Sequence, residues 1–189
     1  MNRLLAGALA GVVGTYAMTM AKRCLFPKLP PAERYPLPPR EITQDVVERV
    51  AGREVADEEL LLDATLASHF AYGAASGAVF AMLGLHEKHP VANGVAFGVA
   101  VWAVSYLGWL PAAGILTPAT RHPPARNALM IAVHVVWGGV TGDAVARLLR
   151  SAELYGQAGA DRLYDRAGRP APERLLDEDD RFKRASRTP

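Results

Sequence analysis

The chain lacks most of the features that mark a soluble enzyme or a disulfide-stabilised domain. Its 189 residues include one cysteine, Cys24, so an internal disulfide is excluded and cysteine usage says nothing about the redox compartment. The sequence contains no G-x-S-x-G, H-E-x-x-H, Walker loop or Cys-x-x-Cys. The net charge of +2 is too small to favour nucleic acid as a partner. Together these absences favour a protein that is not an enzyme.

Charge is also missing from long parts of the chain. Charged residues make up 21% of the sequence, yet four stretches contain none. A membrane-spanning helix needs about 20 mostly apolar residues, and the fourth stretch reaches that length by including Asp143 and Arg147 near headgroup depth. A soluble bundle would instead carry charges along each outer helix face. The sequence therefore predicts four spans, at residues 4–22, 64–85, 91–111 and 127–147.

A nine-residue pattern occurs twice in these stretches: His, two spacers, an aromatic residue, Gly, two spacers, Ser or Thr, and Gly. It runs from His69 to Gly77 and from His134 to Gly142, and each copy follows a span with a GxxxG motif. Small residues at i and i+4 let membrane helices approach closely. The pattern predicts an all-α integral membrane four-helix bundle made of two repeated hairpins. The packing glycines of this prediction are Gly7, Gly11, Gly73, Gly77, Gly94, Gly98, Gly138 and Gly142.

The remaining sequence divides into connections and a tail. Residues 1–150 form the predicted membrane domain, and residues 151–189 form a charged tail that we expect to be disordered. Six prolines in residues 27–39 predict an extended strap, and residues 41–51 predict a short amphipathic helix at the membrane surface. The third connection is apolar but broken by Pro and Gly, so we expect it to pack on protein.

The two motif histidines are the strongest candidates for chemistry. His69 and His134 occupy equivalent positions of parallel spans. Each has an aromatic residue three positions later, Tyr72 or Trp137. Ionisable side chains inside a span usually face the bundle interior. Three interpretations stay open: hydrogen bonds that only support packing, proton or ligand handling, and ligation of haem or a metal by the two imidazoles. The sequence requires no cofactor.

A second candidate site is a basic mouth on the side of the membrane nearest these histidines. It would bind a lipid headgroup or a small anion through charge-assisted hydrogen bonds. The alternative is interfacial anchoring of the helices. The side chains of this predicted mouth are Arg40, Arg121, His122, Arg126 and Asn127.

Short motifs resemble those of the YagU-like family of multi-pass inner-membrane proteins. They are the run from Tyr35 to Arg40, the His69 segment, and the His134 segment leading to Arg147 and Arg150. The resemblance covers roughly residues 35–150. It implies a bacterial-type inner-membrane location and no assigned reaction.

The expected function is a non-enzymatic, multi-pass inner-membrane protein. It would act through its histidine-lined and basic mouth on lipid, a small ion or a protein partner, with both termini in the cytoplasm. The alternatives are a small proton- or ion-handling transporter or channel, and a bis-histidine haem or metal protein. Membrane lipid is the expected partner, and a small-residue face left unpaired would serve a homo-oligomer.

Overall fold

A computed structural model describes residues 1–34, Ile42, Glu48 and residues 58–166, with side chains to residue 158 except that of Glu58. The regular structure in these ranges is helical, which confirms the all-α class. The rest of the predicted strap, the predicted surface helix and the tail after residue 166 lie outside the described residues. The chain divides into two compact units, Met1–Arg150 and Ser151–Pro189.

Four helices account for most of the described chain. The side chain of Asn2 caps the first helix by accepting a hydrogen bond from the Leu5 backbone N–H at 2.8 Å. Proline at the first position of the third and fourth helices suits a turn in which no N–H donor is needed. The helices are α1 (Arg3–Leu25), α2 (Glu58–Met82), α3 (Pro90–Ala103) and α4 (Pro124–Arg166).

Three helical segments are long and apolar enough to cross a membrane: Arg3–Lys28, Pro90–Ala112 and Pro124–Ala158. α2 is not among them, although four spans were predicted. Its middle carries His69, Tyr72 and several small or hydroxyl residues, which lower its hydropathy. The described chain thus contains three helices that are long and apolar enough to span a membrane.

Helices α1 and α2 approach almost to backbone contact at glycines. A Cβ atom added to Gly7 would overlap the carbonyl oxygen of Gly77, and one added to Gly11 would overlap that of Gly73. Backbone atoms cannot rotate away as side chains do, so larger residues are excluded here. This is the close approach by which membrane helices gain packing energy without a hydrophobic driving force.

Helices α3 and α4 form a second pair of the same kind. A Cβ added to Gly94 would overlap the Gly138 carbonyl oxygen, and one added to Gly98 would overlap that of His134. The last contact of this seam is between Gly142 and the Pro90 carbonyl. All eight glycines named from the sequence thus lie at a close helix approach.

Aromatic side chains connect the two pairs. Phe97 of α3 lies between Phe80 of α2 and Trp137 of α4, with ring centroids 5.4 Å and 6.2 Å away. The Trp137 indole N–H also donates to the Thr15 hydroxyl of α1 at 3.2 Å. A ninth glycine, Gly14, allows this approach, since an added Cβ would lie 2.9 Å from the Trp137 carbonyl oxygen. The unit Met1–Arg150 therefore has one core shared by four helices.

The third predicted span differs from a regular helix. After α3 the chain continues as a π turn, Val104–Trp109, in which Gly108 has non-helical dihedrals (φ −109°, ψ −105°), and ends with Leu110–Ala112. Pro111 explains the irregularity. Its ring would clash with the carbonyl of Leu107 in an α-helix, and it has no N–H to donate. The helix adjusts by widening for one turn.

Two expectations about the connections and tail were wrong in part. Residues 151–166 continue α4 as helix, because this segment is rich in strong helix formers and has no proline. The described part of the strap is not extended but forms two 3₁₀ turns, Phe26–Lys28 and Pro31–Glu33, since proline readily begins such turns. The third connection packs on protein as expected, with Leu116 and Ala119 buried against Tyr106.

Candidate functional site

The predicted histidines lie at a cavity of about 240 Å³ inside the unit Met1–Arg150. All four helices and the π turn contribute to its wall. Ile42, from the segment after α1, also lines it. The lining residues that matter below are Thr15, Met18, His69, Tyr72, Ser76, Ser105, Tyr106, Trp109, Met130, His134 and Trp137.

The ring of His134 is held in one orientation. Its Nδ1 lies 2.7 Å from the carbonyl oxygen of Met130, one turn earlier in α4. A carbonyl only accepts, so Nδ1 carries the proton, and in the neutral imidazole Nε2 is an unprotonated acceptor. The edge of the ring meets Tyr106, with centroids 6.1 Å apart and planes at 82°. His134 is 8% exposed.

The Nε2 atom of His134 is the remaining acceptor of the ring. Within the described part of the chain the ring makes one hydrogen bond, through Nδ1, and the residue lines the cavity. A molecule in the cavity that donates a hydrogen bond to Nε2 would pair this acceptor.

His69 lines the same cavity from α2. It is half-buried, and its ring meets Phe70 edge-on at 6.2 Å. It also lines a smaller neighbouring cavity of about 70 Å³ together with Lys22. The structure thus brings both motif histidines to one cavity, although it surrounds them differently: His134 is buried and oriented, whereas His69 lies between two spaces.

Two pairs of polar side chains connect elements of the wall. The Tyr72 hydroxyl and the Ser105 hydroxyl are 2.9 Å apart, which links α2 to the π turn. The Thr15 hydroxyl donates to the Gly11 carbonyl at 2.8 Å and accepts from the Trp137 indole. These contacts hold α2 to the π turn and α1 to α4.

Sequence reasoning identified four lining residues, His69, Tyr72, His134 and Trp137, and missed the others. Thr15 and Ser105 carried a signal, because a hydroxyl inside an apolar run often makes an interhelical bond. Tyr106 lies in the π turn, for which Pro111 was the sequence signal.

The predicted basic mouth is not assembled at this cavity. Arg126 is 2% exposed, and its backbone N–H donates to the Glu33 carboxylate at 3.1 Å. Its guanidinium Nη1 also donates to the Glu33 carbonyl at 3.2 Å. The side chain thus ties the segment after α1 to the start of α4, so it does not face an open mouth.

The other predicted mouth residues have separate surroundings. His122 Nε2 donates to the Thr117 carbonyl at 3.1 Å, and the Asn127 amide donates to the Ala119 carbonyl at 2.7 Å. Both bonds hold the connection before α4. Arg121 is exposed, and Arg40 lies outside the described residues. The expectation that these side chains converge with the histidines was wrong for the described ones. Arg126 is bonded to Glu33, His122 and Asn127 are bonded to backbone carbonyls of the connection before α4, and none of the four lines the cavity.

No cluster of three or more His, Cys, Asp or Glu side chains suited to a metal ion occurs in residues 1–34 and 58–158. Asp143 bonds the Arg147 guanidinium at 2.6 Å and does not line the cavity. The chemistry of the described wall is therefore that of two imidazoles among aromatic rings, hydroxyls and apolar side chains.

No family model, curated protein or solved structure matches the chain. The functional argument consequently depends on the cavity itself.

Proposed function

We propose that the chain is a four-span membrane protein that binds a small, mainly apolar molecule in the cavity at His134. The observation that carries the binding part is the His134 ring, which is oriented through Nδ1 and lines a largely apolar space of about 240 Å³. Binding sites for small molecules are typically apolar concavities with a few well-placed polar atoms. The proposal involves no reaction, so the protein acts as a binding protein and not as an enzyme.

The packing of α2 supports its role as the fourth span. α2 follows α1 in the opposite direction, from Gly73 opposite Gly11 to Gly77 opposite Gly7. Glu87, just after α2, forms an ion pair with Arg3 at the start of α1. If α1 crosses the bilayer, a helix that runs beside it between the same two levels crosses it too.

The outer surface of the helices supports the membrane location. Large apolar side chains of α1 and α2 are exposed in the chain taken alone, and an exposed apolar surface of this extent marks contact with lipid or protein. The charged side chains of this pair lie near its ends. The exposed residues include Leu4, Leu9, Val13, Leu66, Val79 and Met82.

The wider assignment follows the family resemblance. We propose a bacterial-type inner membrane as the location, with both termini in the cytoplasm, lipid as the partner of the outer surface, and a YagU-like membership. The eight motif glycines are used within the chain, so a homo-oligomer would need a different face.

A second candidate function is haem or metal ligation by His69 and His134. The specific observation is that both imidazoles line one cavity and that the Nδ1–H of His134 donates to a backbone carbonyl, the usual support of a ligating histidine. An ultraviolet–visible spectrum with elemental analysis distinguishes this candidate. A Soret band or stoichiometric metal, lost in His69→Ala/His134→Ala, would replace the first proposal.

The binding proposal is tested with bromobenzene, whose heavy atom quenches nearby tryptophan fluorescence. A cavity of about 150 Å³ is enough for benzene, so this one has room. Protein in detergent should show saturable quenching, since Trp109 and Trp137 line the cavity. Ser76→Leu, which fills the space from α2, should abolish saturation. Ala75→Leu is the matched control, because Ala75 is exposed and does not line the cavity. Linear quenching in all three proteins would exclude a binding cavity.

A further inference from the structure

The polar atoms of the cavity wall restrict what kind of molecule can bind. Tyr72 pairs with Ser105, and Trp137 pairs with Thr15, so these four side chains already have partners. The His134 ring is fixed with Nδ1–H on the Met130 carbonyl. At His134 the wall therefore offers an acceptor, the Nε2 lone pair.

A ligand must bring a donor to this acceptor. An ether, ester or ketone oxygen has a lone pair and no proton, so it would place two acceptors against each other. A hydroxyl group supplies the proton and needs little space. A buried acceptor without a hydrogen-bond donor costs about 1–3 kcal/mol of free energy more than one that has a donor. A difference of 1.4 kcal/mol changes the affinity tenfold.

The rest of the wall favours an aromatic body. Trp109, Tyr106 and Trp137 line the cavity beside the two imidazole rings. Aromatic pairs in edge-to-face or offset arrangements gain about 0.5–1.5 kcal/mol beyond their buried area. The volume of about 240 Å³ is roughly 1.6 times the 150 Å³ that admits benzene, which leaves room for a short substituent.

We propose that the cavity binds a phenol, a single aromatic ring whose hydroxyl donates a hydrogen bond to Nε2 of His134 and whose other end carries a short alkyl group. This inference rests on the proposed binding function and names its ligand class. The hydroxyl determines the orientation of the ring, and the aromatic wall holds its body.

The test compares three probes on the full chain in detergent, each titrated by tryptophan fluorescence and by calorimetry. They are 4-propylphenol, its methyl ether 4-propylanisole, and 4-propylcyclohexanol. We expect 4-propylphenol to bind at least about 10-fold more tightly than the methyl ether, which keeps the ring and loses the donor. We also expect it to bind several-fold more tightly than the cyclohexanol, which keeps the hydroxyl and loses the aromatic ring.

Two variants test whether His134 is responsible for the preference for the phenol over its methyl ether. In His134→Asn the amide N–H can still donate to the Met130 carbonyl, but no acceptor remains at the position of Nε2. The preference for phenol over ether should fall to less than about 3-fold in this variant. His122→Asn, outside the cavity, should retain the full preference. Retention of the preference in a folded His134→Asn protein would overturn the role of His134.

The wild-type comparison decides the inference even if the variant fails to fold. Equal binding of phenol and ether would overturn the hydroxyl contact and leave the binding proposal standing. Equal binding of phenol and cyclohexanol would overturn the aromatic specificity. If no probe binds with saturation, both the inference and the proposed function fail.

Discussion

Arg3 and Glu87 are 84 positions apart in the chain, and their side chains form an ion pair of 2.9 Å. Both side chains are about half exposed, so the pair contributes little to stability. The ion pair is informative about the arrangement of the two helices. It places the start of α1 and the end of α2 at the same level, while Cys24 lies at the other end of α1.

The first prediction concerns the sidedness of these two ends. Cys24 is the single native thiol and is exposed. Cys24 should react with a membrane-impermeant maleimide from one side of sealed vesicles. The thiol introduced by Glu87→Cys in a Cys24→Ser background should react from the other side. Comparison of right-side-out and inverted vesicles makes this measurement. Reaction of both from the same side would show that α2 does not cross.

The second prediction uses two adjacent glycines of α4. A Cβ on Gly138 would overlap the Gly94 carbonyl, whereas one on Gly139 would meet only Val95 and Val91 side chains at 3.5 Å and 3.8 Å. Gly138→Ala should therefore lower the free energy of unfolding by about 1–3 kcal/mol. Gly139→Ala should be neutral or should raise it by up to about 1 kcal/mol, through helix propensity alone.

Thermal unfolding in one detergent compares the two proteins. Gly139→Ala serves as the control for Gly138→Ala, because both substitutions add one methyl group to the same helix. If both variants unfolded at the same temperature, the close backbone approach at Gly138 would not be a packing constraint.

The third prediction concerns the hydroxyl of Thr15. Thr15→Val keeps the shape and removes the acceptor of the buried Trp137 indole N–H. We expect a loss of about 1 kcal/mol in the free energy of unfolding, within the range measured for hydrogen bonds between membrane helices. Thr15→Ser should restore most of it.

Thr19→Val is the matched control for this substitution. Thr19 lies one turn later in α1, and its hydroxyl donates only to the Thr15 carbonyl, within the same helix. Its loss should cost less than half as much, as measured by chemical unfolding. An equal cost would mean that the interhelical bond to Trp137 adds nothing.

The fourth prediction is a pH dependence at the connection between α2 and α3. Burial, and then the positive charge of Arg3, lower the pKa of His86 from its usual value of 6.5, while Glu87 acts in the opposite direction. In the unfolded chain His86 therefore takes up its proton at higher pH than in the folded one. The unfolded state binds more protons below pH 6.5, so stability falls as the pH falls.

The unfolding temperature in detergent, measured between pH 7.5 and 5, checks this expectation. The acid-side decrease should be smaller in His86→Gln, which does not titrate. Glu87→Gln should enlarge it, because the group that raises the His86 pKa is removed. An unchanged profile in His86→Gln would assign the pH dependence to other groups.

The sequence predicted some kinds of contact in this protein and not others. The glycines were predictable, because a small residue at i and i+4 of an apolar helix has one main use, close helix approach. The position of His69 and His134 at one cavity also followed from their equal depth in the helices. These inferences needed only helical periodicity.

The failures involved contacts that periodicity does not encode. Arg126 was assigned to an open mouth, but its partner Glu33 comes from a connection whose path the sequence does not reveal. The π turn was missed because the run was treated as one helix despite Pro111. The edge-on contact of Tyr106 with His134 was not predicted either.

The wall of the cavity also has a consequence for how occupancy should be measured. Tyr72 and Trp109 line the cavity and are still 47% and 45% exposed, so part of its wall lies at the surface of the helices. In the proposed bilayer that surface faces lipid. A ligand dissolved in the membrane would then reach the cavity by diffusion within the bilayer. Its dissociation constant should therefore be expressed as a mole fraction in lipid. Saturation at a fixed aqueous concentration should shift with the amount of membrane present.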